Sequence, residues 1–257
     1  MISHLTCLLD RADLNLRVEQ ALAAFLAGKR PQLAEIDPRA FVAFMEVIER
    51  HVLHGEDRFG PVFALWAHRG AGGKDDDDVV GAIAALELVQ AGALIHRHEF
   101  TDPRTPRRRP SVPELIATLH PDAGAAPDPA SFGSSMAIIL GHMYLVWADE
   151  LLDSTRLSPA VMARVTTLFG RIRREMIIGE YLDRHAHAVG DLSLDRAVLL
   201  AQFSTVDFSV EHSMLIGAAI AGASDPIMTA YFTYGVCLGI ALRIENEVSG
   251  IWLNCGT

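Results

Sequence analysis

The stretch AIAALELVQAGALIHRHEFTD (82–102) decides how the rest of the chain is read. Ile83, Leu86, Val89, Gln90, Ala93 and Leu94 recur at three- and four-residue steps, the period of an α-helix. Asp75 to Asp78 precede it, where negative charge suits the positive end of the helix dipole. The apolar run then gives way to His96, Arg97, His98, Glu99 and Asp102. On a helix His98 and Asp102 lie four residues apart, and Glu99 and Asp102 three, so the three share a face. Two readings are open here: the ionisable end points into a cavity, or it emerges into solvent.

Working outward, helix punctuation recurs along the chain. A helix is expected over about 12–27, ending near Gly28 and Pro31. Asp37-Pro38, Ser158-Pro159 and Asp225-Pro226 each pair a capping residue with proline at the first helical position. They predict helices from there to about Leu53, Val189 and Trp252. Shorter helices are expected over 61–69 and 111–120, a long buried one over 131–153, and two more within 193–222. His51 and His54 read as surface residues near a helix end.

Composition narrows the function. The 257 residues are half hydrophobic and carry a formal charge of −10, which argues against a general nucleic-acid surface. Cys7, Cys237 and Cys255 are odd in number and lack metal-ligand spacing, the pattern of reduced cytoplasmic thiols. Asp10 and Arg11 interrupt the apolar start, so no secretory leader is expected. Residues 226–242 lack charge but contain Gly235 and Gly239, and they are expected to form a buried core helix rather than a membrane span.

Four ordered stretches carry a resemblance. LELVQAGALIHRHEFTDPRTPRRRPSV resembles the first aspartate-rich region of the trans-isoprenyl diphosphate synthases, where LELxHxxxLIHDDxxD is followed by RRGxP. SFGSSMAIILGHMYLVWADELL (131–152) is similar to that family's FGxxxAILAGDxLLxxAxELL, and EMIIGEYLD (175–183) to its EMxxGQxxD. GAAIAGA (217–223) and YGVCLGIALRIENEVSG (234–250) are similar to its GAxxAGA and LGxAFQxxDDxxG. The resemblance covers roughly 50–253. It implies an all-α isoprenoid-synthase (terpene synthase) helical bundle around a central cavity, as a single domain over 1–257 that is short at its C-terminal end relative to the family.

The functional residues depart from the pattern. Where the family has GGKRxRP to grip isopentenyl diphosphate, this chain reads GEDRFGP: Asp57 replaces Lys, Gly60 replaces the second Arg, and Arg58 remains. Thr205 stands where the family has the Lys of its KT motif. Aspartate at a phosphate clamp replaces attraction by repulsion. Arg97, His98 and Thr101 fall on the first aspartate motif, unless a one-residue slide restores His98-Glu99-x-x-Asp102. His142 stands on an Asp position, Glu180 on a Gln, and Asn246-Glu247 on the second aspartate pair.

The resemblance therefore implies Mg²⁺ held by Glu99, Asp102, Asn246 and Glu247, and diphosphate bound by Arg58, Arg107, Arg108, Arg109 and Arg243. The catalytic candidates are His98, Glu180 and Asp183. His96, His98, His142, His185, His187 and His212 fall near cavity-lining positions, and imidazole suits zinc or iron better than magnesium. The expected function is a divergent terpene synthase-like enzyme that ionises or cyclises a prenyl diphosphate without extending it. The alternatives are a non-catalytic partner subunit of a heteromeric synthase and an isoprenoid-binding protein. The resemblance implies a homodimer, or a heterodimer with an active synthase, since members of that family dimerise through long apolar helices and 131–148 is nearly free of charge.

Overall fold

A computed structural model describes residues 2–53, 58–99, 110–119, 128–191, 193–203 and 210–254. Within these, the side chains of 2–10, 97–99, 201–202, 243 and 246–254 lie outside the description. Among the described residues there are ten helices and no strand. They are α1 (Ile2–Ile36), α2 (Pro38–Leu53), α3 (Phe59–Gly70), α4 (Asp77–Glu99) and α5 (Val112–Ala117). α6 (Pro129–Asp153), α7 (Pro159–Val189), α8 (Leu194–Phe203), α9 (Val210–Ile220) and α10 (Asp225–Asn254) follow. The chain divides into two compact units, Met1–Arg58 with Val80–Thr155, and Phe59–Val79 with Arg156–Thr257.

The first unit is built on α4. Ala82 to Leu86, Leu88, Val89, Ala93 and Ile95 are all buried, so this helix is covered nearly all round, as a helix apolar on every side must be. α6 meets it through small residues: a Cβ on Gly92 would lie 2.8 Å from the Gly141 carbonyl oxygen. α1 lays the stripe Leu14, Val18, Leu22 and Leu26 toward the core, spaced four apart, and packs on α2. Contrary to the expected stop at Gly28, α1 continues through Pro31 to Ile36. Arg30 explains the extension: its Nε and Nη2 donate to Glu49 of α2 at 3.1 and 2.8 Å, which holds the last turns down. Asp37 caps α2 as expected, accepting from the backbone N–H of Arg39 and Ala40.

His51 is a correction. It is half-buried rather than on the surface, stacked on Tyr144 of α6 with Nδ1 3.2 Å from the hydroxyl.

The second unit is built on α9. Every residue of this helix except Glu211 is buried, among α3, α7 and α10. Gly217 sits against the carbonyl of Ala64, where any Cβ would overlap backbone. The small residues of GAAIAGA thus serve close approach of α3. α7 starts at the Ser158 cap and ends at Gly190, whose φ of 68° is the left-handed conformation that glycine adopts without strain.

Two burial expectations fail. α10 is not a buried core helix: only 11% of the window Asp225–Leu242 is buried, and Phe232, Tyr234, Ile240 and Ile244 are exposed. One of its faces packs on α9 and the end of α3, through Tyr231, Gly235, Leu238 and Leu242, while α7 meets it through Arg171 over Phe232 and α8 touches it only slightly. α6 is likewise partly open, with Ile138, Ile139 and Val146 exposed. Among the described residues three helices, α4, α6 and α10, are by length and composition apolar enough to cross a membrane.

Candidate functional site

The sequence places its candidates at the end of α4, in the loop after it, along α7 and at the end of α10. His98, Glu99, Asp102, Arg107, Arg108, Arg109, Arg243, Asn246 and Glu247 have side chains outside the described residues. Arg58, Glu180 and Asp183 are described. Among the described residues no group of three or more His, Cys, Asp or Glu is placed to hold a metal ion.

Arg58 follows α2 and is 3% exposed. Its Nη1 donates to Glu87 Oε2 of α4 at 2.7 Å, and its Nη2 to the carbonyls of Val52 and Leu53 at 3.0 and 3.1 Å. The guanidinium thus caps the carboxyl end of α2, where positive charge suits the dipole, and neutralises a carboxylate inside the unit. Burial pushes the Glu87 carboxyl up, against the opposing pull of Arg58. Such an arginine is part of the fold, and its placement gives the diphosphate role expected for Arg58 no support.

On α7, Glu180 receives Arg184 Nε and Nη2 on one oxygen, at 3.0 and 2.8 Å. Asp183 lies 3.9 Å from His187 Nε2. Both pairs follow the four-residue step of a helix, so Glu180 and Asp183 are directed to different partners. Asp183 and His187, with Asp191, Arg196 and Leu200, line an open cleft of about 170 Å³ between α7 and α8. That is below the roughly 300 Å³ at which small-molecule pockets begin, so this cleft by itself does not hold a prenyl chain.

Two arrangements were not read from the sequence. In the second unit, Glu175 of α7 accepts from Arg171 Nε at 2.7 Å and lies 2.8 Å from His212 Nε2 of α9. Arg171 also donates to Glu211 at 2.9 Å and lies over the ring of Phe232 of α10. The hydrogen bond with His212, then that with Arg171, brings the Glu175 carboxyl down to about 2 against the effect of burial. The step from Arg171 to Glu175 was visible in the sequence; the partners on α9 and α10 were not. In the first unit, the rings of His96 on α4 and His142 on α6 have centres 4.9 Å apart.

No family model matches the chain. The (2E,6E)-farnesyl diphosphate synthase of Mycobacterium tuberculosis is 27% identical over 195 residues, 75% of this chain and 48% of that protein. A geranylgeranyl pyrophosphate synthase from Corynebacterium glutamicum, solved with isoprenyl diphosphate and magnesium, superposes with a TM-score of 0.83. That superposition is at 29% identity and covers 92% of this chain and 68% of that one. The chain belongs to the isoprenyl diphosphate synthase and terpene synthase superfamily. Its all-α architecture is that superfamily's fold. A heterotetrameric geranyl pyrophosphate synthase, a mint deletion mutant, shares the superfamily fold with a TM-score of 0.58 at 19% identity. It covers 89% of this chain and 82% of its own. The chain spans about half the length of the curated superfamily relatives it matches, 48% for the mycobacterial enzyme.

Proposed function

We propose that this chain binds one prenyl diphosphate, or a related isoprenoid, and ionises or cyclises it without extending it. The observation that carries the reading is Arg58. It is the one basic residue left at the isopentenyl clamp positions, and its guanidinium is engaged by Glu87 and the end of α2. Asp57, Gly60 and Thr205 supply no positive charge at the other positions of that clamp. A second anionic diphosphate then meets no cation there, while a single diphosphate needs only one site.

In this proposal Mg²⁺ is held by Glu99, Asp102, Asn246 and Glu247, with Arg107, Arg108, Arg109 and Arg243 offsetting the remaining phosphate charge. His98, Glu180 and Asp183 are the groups that would take or position a proton. A cytoplasmic setting, with no membrane span, belongs to the same proposal, as does a single domain.

A second reading, a non-catalytic partner subunit, is favoured by α6. Its first twenty residues carry no charge, and Ile138, Ile139 and Val146 are exposed. A surface of that kind fits a partner helix, and a similar structure is that of a heterotetrameric synthase.

The test is product analysis. With isopentenyl diphosphate and a geranyl or farnesyl primer, no longer prenyl diphosphate is expected, and its appearance at ordinary turnover would overturn the proposal. With one prenyl diphosphate alone, magnesium-dependent pyrophosphate release is expected. Asp102→Ala and Glu247→Ala should each slow it at least roughly 10²-fold. No release under any of these conditions, together with altered product length when the chain is added to an active synthase, would establish the partner-subunit reading instead.

A further inference from the structure

We draw no further inference here: the strongest candidate, the exposed apolar face that Tyr234, Ile240 and Ile244 form on α10, carries nothing, because nothing in the structure shows what covers it.

Discussion

At the residue scale, Arg58 shows how one side chain changes meaning with its surroundings. In the sequence it is the surviving cation of a phosphate clamp; in the fold its side chain is 2% exposed and paired with Glu87, itself 14% exposed. Removing one member of a buried pair leaves the other charge without its counterpart. Arg58→Met is therefore expected to cost about 3–5 kcal/mol of stability, whereas Arg58→Met with Glu87→Leu should recover much of it. Urea denaturation of the two single variants and the double variant checks this. A loss in the double variant equal to the sum of the two single losses would mean that the pair does not couple. The sequence showed Arg58 but not its role, because Glu87 lies 29 residues away on another helix.

At the element scale, α7, α9 and α10 are joined by Glu175, His212, Arg171, Glu211 and Phe232. Glu175 has its carboxyl held at about 2, below its usual value of 4.5. A depressed carboxyl contributes stability above its unfolded value and loses it as pH falls through the folded one. The unit should therefore lose on the order of 1–2 kcal/mol between about pH 4.5 and pH 2, once solvent screening is allowed for. Glu175→Gln should be less stable at pH 7 and lack this component of the acid loss. Stability measured by denaturant at several pH values in both proteins decides it, and parallel curves would rule it out. Helix positions were legible from caps and prolines, since these act over a few residues. Burial was not: α6 and α10 are apolar in sequence, yet expose Val146 and Tyr234 because few neighbours cover them.

At the scale of the whole molecule, the exposed residues Ile138, Ile139 and Val146 lie on a helix free of charge as far as Ala148. Association through this face is expected, either with a second copy or with a related synthase. Light scattering should give a mass about twice 28.0 kDa for the homodimer, and Ile139→Glu should return it to the monomer by placing a carboxylate in an apolar contact. A monomer at micromolar concentration, alone and with a partner synthase, would remove this expectation.

The sequence by itself determined the helical build and the superfamily, together with the loss of positive charge at Asp57, Gly60 and Thr205. Those features are written in local periods, caps and the order of four motifs. Only the tertiary structure decided that Arg58 answers Glu87, that His212 answers Glu175, and that His96 lies beside His142. Their partners stand 29, 37 and, through the Ile138 carbonyl, 42 residues away. A helical period specifies neighbours three and four residues along the chain. Which residues meet across helices is set by where small residues such as Gly92, Gly141 and Gly217 let two backbones approach.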